Sequence, residues 1–333
     1  MSTADVTGPA AEVTGPAAEV TGPAAEVTGP TAELTGPTAE LTGARLDPAR
    51  QPSYRLGPVR SWIRFLRSEL SLVFLRWRNL ALLAVLAAIP VLVGVALKLS
   101  APQAGGGNGQ GPAFLDQVAG NGVFLALLSL TVLLTLVLPL VVAVVAGDSV
   151  AGEAGHGTLR YLLAIPAGRA RLLGVKYAAV VVFGLAACGV VTAASLAVGA
   201  ALFPVGPVTL LSGTTISLGA GLLRIVFVTL YVAAAMAALA AIGLAISTLT
   251  EHPIGAIAAI LVLALASEVS DSVPQFAVVH PYLPTHWWLS FDALLRSPIA
   301  WPDLMHGLAS FGAYVIIFGA IAWARFTTAD VTS

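Results

Sequence analysis

Long apolar runs alternate with short polar stretches over most of the chain. Six such runs lie at about 79–97, 122–146, 177–203, 223–248, 253–269 and 307–324. Each is long enough, as helix, to cross a hydrocarbon core of about 30 Å. The runs are continuously apolar and do not alternate with period two, which predicts spanning helices and argues against a barrel. Pro90 and Pro139 fall inside runs and are expected to kink them. Small residues crowd the third, fourth and fifth runs, as close helix packing in lipid requires.

A different pattern precedes the first run. In 58–78 (PVRSWIRFLRSELSLVFLRWR), Arg60, Arg64, Arg67, Ser71 and Arg78 share one helical face. Trp62, Leu66, Leu70, Val73 and Trp77 share another. That segregation predicts an amphipathic helix lying in the headgroup layer, its arginine stems reaching toward lipid phosphates. Residues 7–41 are heptads, TGPAAEV and then TGPTAEL. A Gly-Pro pair in every heptad opposes a coiled coil, and one apolar residue per repeat cannot build a core. We expect a disordered acidic tail over 1–57, either a tolerated repeat expansion or a binding arm.

Composition agrees with the pattern. Charged residues are 10 % of the chain against about 25 % in soluble domains, and mean hydropathy is +0.90. The net charge of −1 predicts no nucleic-acid partner. Cys188 is the sole cysteine, so no internal disulfide forms. No apolar stretch behind a basic start opens the chain, so the first span is expected to serve as its own insertion signal. Arginines 45, 50, 55, 60, 64, 67, 76 and 78 precede the first span, and Arg160, Arg169, Arg171 and Lys176 lie between the second and third. The opposite side carries Lys98 and Arg296, with Arg224 at the edge of the fourth span. The positive-inside rule therefore predicts both termini and the 147–176 loop in the cytoplasm of a multi-pass protein of a bacterial inner or plasma membrane. The other loops are a glycine-rich 98–121 and an aromatic, proline-punctuated 270–306, the latter expected at the outer interface as anchor or lid.

The densest cluster of charge, glycine and proline is Gly147–Lys176, GDSVAGEAGHGTLRYLLAIPAGRARLLGVK. Gly157-Thr158 suits a helix start, Tyr161, Leu162, Leu163 and Ile165 supply an apolar face, and Pro166 ends it. This predicts a short helix held out from two spans, with a mixed surface fit to enter a groove on a soluble partner. The pattern D-S-V-A-G-E-x-x-x-G-T-L-R-x-L-L-x-x-P-x-x-R-x-x-L-L-x-x-K resembles the cytoplasmic loop of ABC-2 type transporter permeases. The resemblance covers about 58–333 and implies an amphipathic elbow helix at 58–78, a six-span domain at 79–326 and a stub at 327–333. It implies a coupling helix that docks on a separate ATPase subunit through Asp148, Glu153, Gly157, Thr158, Leu159, Arg160, Pro166, Arg169 and Lys176. Taken singly, Gly157, Thr158 and Pro166 also read as helix start and stop, and Arg169 and Lys176 as topology signals.

The fold expected is thus an all-α polytopic membrane protein with six transmembrane helices behind an interfacial elbow helix. The function the resemblance implies is the permease subunit of an ATP-driven exporter of a small hydrophobic or amphipathic compound. Two such subunits, identical or paired with a relative, would act with the ATPase and the surrounding membrane lipids. The alternative is an ion- or proton-coupled secondary transporter. A membrane enzyme would need polar residues clustered at one depth, and a scaffold would use the same loop without cargo. No phosphate-binding G-x-x-x-x-G-K-[ST] loop and no H-E-x-x-H motif occurs, so no catalytic residue, cofactor or metal is expected on this chain. Arg224, Glu268 and Asp271, near the outer ends of spans four and five, are candidates for a substrate path, or else reach the outer headgroups.

Overall fold

A computed structural model describes residues 58–104, 120–155 and 169–328. Among them run eight α-helices: α1 (Pro58–Leu75), α2 (Trp77–Ala104), α3 (Phe124–Thr135), α4 (Val137–Gly155), α5 (Arg169–Leu202), α6 (Leu218–Ser247), α7 (Pro253–Asp271) and α8 (Trp301–Thr328). Between α5 and α6 lies a two-stranded antiparallel hairpin, β1 (Val208–Thr209) and β2 (Thr215–Ile216), with Val208 opposite Ile216. Its turn uses Gly213 at φ 79°, a region that side chains disfavour. Helices α2, α4, α5, α6, α7 and α8 are long and apolar enough to cross a membrane, and α3 is a shorter apolar helix.

The run expected as one span at 122–146 is two helices with a break at Leu136 (φ −140°, ψ −46°). Pro139 explains it: the proline lacks an N–H, and its ring collides with the carbonyl four residues back, that of Thr135, where α3 ends. Pro90 leaves α2 continuous from Trp77 to Ala104. The expected loop at 147–176 needs correction at both ends. Helix α4 runs on to Gly155, and α5 begins at Arg169. Neither segment has a proline, and Ala151, Glu153 and Ala154 are good helix formers, so polarity alone did not stop the helix. The connection shrinks to 156–168. The short helix expected over 159–165, and the heptad tail, lie outside the described residues.

Helix α6 is the hub, touching α4, α5, α7 and α8. Met236, Leu239 and Ile242 are fully buried there. Helix α5 carries α1, α2 and α3 against its other side. Gly122, just before α3, meets Gly199 of α5 backbone to backbone: a Cβ on either would collide with the carbonyl of the other. This is the small-residue contact that lets helices approach closely in lipid. Several polar groups inside the bundle find partners there, whereas the buried Ser129 hydroxyl has none among the described residues. Thr192 and Thr229 hydroxyls lie 2.8 Å apart, and Ser195 donates to the Val191 carbonyl at 2.7 Å. The peripheral helices α2, α7 and α8 leave Leu92, Ile254, Val262 and Ile316 exposed. Such faces suit lipid or another spanning subunit.

Two clusters mark the ends. A small one gathers Val150, Leu172, Leu173, Leu244, Ala245, Ala322 and Phe326, with Phe65 of α1 against it. At the opposite end the aromatic stretch 272–300 folds into three short 3₁₀ helices over α6, α7 and α8. Trp288 is buried there, Trp287 stacks on His306 with ring centroids 5.6 Å apart, and the Tyr231 hydroxyl donates to the Trp287 carbonyl at 2.8 Å.

Candidate functional site

At the end of the bundle bearing the small cluster, the last two turns of α4 and the first turns of α5 stand side by side. Three sets of contacts fix them. The first is a charge triad. Lys176 Nζ of α5 lies 2.5 Å from Glu153 Oε1 of α4 and 3.7 Å from Glu69 Oε2 of α1. The lysine side chain is 3 % exposed and that of Glu69 9 %, so the pairs are shielded from solvent and salt. Glu69 is the only acid in α1, and its position on the packed side of that helix, beside Phe65, Leu66, Leu70 and Val73, draws α1 onto α5. The ring of Phe74 completes this seam against Phe183, centroids 5.3 Å apart.

The second set joins α4 to the α1–α2 corner. Asp148 Oδ2 accepts from both Arg76 Nη1 and Arg78 Nη2, the latter at 2.9 Å. Arg76 sits at the bend between α1 and α2, and its carbonyl accepts the first N–H groups of α2, from Asn79 and Leu80. The third set is a hydroxyl inserted into a helix. Ser247, at the end of α6, donates to the Gly147 carbonyl at 2.8 Å and accepts from the N–H groups of Val150 (3.2 Å) and Ala151 (2.9 Å). These are groups of neighbouring turns of α4, so one hydroxyl ties α6 to the backbone of α4 at three points. Gly147 also lets α7 pack closely here, since a Cβ there would press on Ile257.

Of the expected docking residues, Asp148, Glu153 and Lys176 are thus engaged within the chain. Arg169 opens α5. Gly157, Thr158, Leu159, Arg160 and Pro166 lie outside the described residues. Beside the end of α4, Ala154 and Gly155 line a concave surface of about 380 Å³ with Glu251, His252 and Pro253 of the α6–α7 turn. Nothing in the sequence pattern singled out that turn.

Of the residues read as a possible path, Glu268 and Asp271 are neighbours on α7, and Arg224 bonds to the 272–300 stretch. Arg224 Nη1 donates to the carbonyls of Leu294 (2.6 Å) and Arg296 (2.9 Å), tying α6 to the 272–300 stretch. Asp271 Oδ1 lies 2.6 Å from His286 Nδ1. Glu268, half-buried, sits one turn before Asp271 on α7. Ser267 and Thr285 hydroxyls are 2.7 Å apart. These groups hold down the aromatic stretch. Among the described residues no group of three or more His, Cys, Asp or Glu is placed to hold a metal ion.

A bundle of this kind, with six apolar spans and an ordered charged base at one end, defines a multi-pass helical membrane protein. A family model described as "ABC-2 family transporter protein" matches residues 74–267, more than half of the 333-residue chain. The chain belongs to the ABC-2 transporter family and is a permease component of an ABC-type transporter. Among curated proteins none matches it. A permease of this family is a membrane transport component and not itself catalytic, and membership implies an ATP-binding partner in general.

Proposed function

We propose that this permease exports a small hydrophobic or amphipathic compound across a bacterial cell membrane, driven by a separate ATPase subunit that docks on residues 156–168 and the surfaces beside them. The observation that supports the reading is the braced base of that connection. Glu153 and Lys176 pair across the two helices from which it emerges, and Ser247 locks α4 to α6 next door. A loop that must pass force from an ATPase to spanning helices needs a stiff root. In this reading Asp148, Glu153 and Lys176 position the coupling segment, while Thr158, Leu159 and Arg160 meet the ATPase. The hollow by Glu251 and His252 receives part of the same partner. Two permease subunits, identical or paired, enclose the path, and ATP-driven closure of the ATPases tilts the spans between two rigid-body states. Spans so predominantly apolar favour apolar cargo over ions.

The test is purification of the tagged protein from native membranes in mild detergent, beside Leu159→Glu/Arg160→Glu. We expect an ATPase subunit to copurify with the native chain and to be lost from the variant, whose monomer still elutes normally. Absence of any ATPase with the native chain across several detergents would overturn the docking reading. Efflux of hydrophobic dyes from inside-out vesicles, with and without ATP, then tests the direction and class of cargo.

A further inference from the structure

We infer that Arg76 and Arg78 form a binding site for the phosphate of one phospholipid, at the corner where α1 turns into α2. Both guanidinium groups converge on a single oxygen of Asp148. With two cations facing one anion, each guanidinium keeps most of its N–H donors. The charges are sorted by depth. Asp148 is 12 % exposed, while Arg76 and Arg78 are 53 % and 47 % exposed. Further in, Glu69 and Glu153 share Lys176, so the six groups together carry no net charge and are separated only by depth. The field at the mouth is therefore set by the arginines, although all six charged groups line one cavity. That cavity is only about 40 Å³, room for roughly three waters, so a phosphate group stays at the mouth.

The surroundings commit the site to a lipid. Trp77, between the two arginines, is 82 % exposed, and Leu72, Leu75 and Leu80 are exposed around it. An indole flanked by two arginines and bordered by leucines is suited to the zone between headgroups and acyl chains. The corner also lies at the N-terminus of α2, whose dipole favours an anion. Asp148 acts as a positioning residue: it holds two flexible side chains side by side, so that a phosphate meets a ready fork.

The experiment is native mass spectrometry of the full-length protein in detergent, titrated with phosphatidylglycerol, with diacylglycerol of the same chains, and with inorganic phosphate. Detergent removes the diffuse surface potential of a membrane, so one-to-one binding is read directly. We expect one phosphatidylglycerol to bind well ahead of the rest, and diacylglycerol to bind at least about tenfold more weakly, as the loss of charge-assisted hydrogen bonds implies. Arg76→Gln/Arg78→Gln should weaken that first lipid by about tenfold or more, whereas Arg64→Gln/Arg67→Gln, which removes the same charge from the same segment, should change it less than about threefold. If the glutamine pair fails to fold, Arg76→Lys/Arg78→Lys keeps the charge and removes the fork, and a loss of about threefold is expected. Equal losses from both glutamine pairs, or equal binding of phosphatidylglycerol and diacylglycerol, would overturn the site. So would displacement of the lipid by equimolar inorganic phosphate, which would assign the arginines to a free anion. Loss of a copurifying ATPase from Arg76→Gln/Arg78→Gln with lipid binding unchanged would assign them to an acidic protein surface instead.

Discussion

Replacing Lys176 by methionine removes a buried cation that lies against two carboxylates. Glu153 and Glu69 stand 2.5 and 3.7 Å from its ammonium group. At such distances and an effective dielectric near 20, each attraction is worth several kcal/mol, most of it offset by the cost of taking the charges out of water. The variant loses the attraction and keeps the cost, because the acids remain buried and now repel each other. Breaking a buried pair in this way destabilises by about 3–5 kcal/mol. At about 2–4 °C per kcal/mol, the melting temperature falls by roughly 6 °C or more. The assay is thermal unfolding of the purified protein in detergent, followed by tryptophan fluorescence and by loss of the monodisperse peak on size exclusion. The triple variant Glu69→Gln/Glu153→Gln/Lys176→Met removes all three charges of the triad and should regain most of the loss. A single variant melting within about 2 °C of the parent, or a triple variant as unstable as the single one, would refute the claim that the triad holds α1, α4 and α5 together.

Other outcomes follow from the same geometry. Ser247→Ala removes a buried hydroxyl that reaches the Gly147 carbonyl and the Val150 and Ala151 N–H groups, and should cost about 0.5–1.5 kcal/mol in the same melting assay; an unchanged melt would mean that the hydroxyl adds nothing to the seam between α4 and α6. Gly199→Ala pushes a methyl group into the Gly122 carbonyl and should cost about 1–3 kcal/mol, which trimming a side chain elsewhere cannot relieve because the obstacle is backbone. Thr229→Val removes the bond to Thr192 and should cost well under about 2 kcal/mol, since hydroxyl pairs inside membranes are individually weak. Arg224→Ala frees the carbonyls of Leu294 and Arg296, and limited proteolysis of purified protein should then cut within 272–300 at least several times faster.

Apolar run length carried most of the architecture into the sequence. Six spans, and their order, follow from hydrocarbon thickness alone, because every backbone group in lipid must be satisfied within a helix. Helix ends were less legible. Gly147 and Asp148 look like the start of a loop, yet α4 persists to Gly155, because interior contacts with Ser247 and Lys176 stabilise what polarity seemed to terminate. The charge network was half visible. Glu153 and Lys176 are among the expected docking residues, whereas Glu69 is not, although a lone acid in a basic helix is a signal the sequence holds. Their pairing was not visible, since Glu69 and Lys176 are far apart along the chain and meet only when α1 lies down on α5. Ser247 carried no signal at all: a serine near the end of an apolar helix is ordinary, and only the crossing of α6 with α4 gives its hydroxyl a task.

That hydroxyl has a consequence for how a push on α4 would spread. Upstream of Gly147 the helix is gripped by the hub of the bundle; downstream it carries Asp148 and Glu153, the two grips on α1 and α5. With Ser247 tying the same stretch to α6, the end of α4 is joined to three other helices within about two turns. A displacement there is shared by α1, α5 and α6 and is not absorbed in one loose segment.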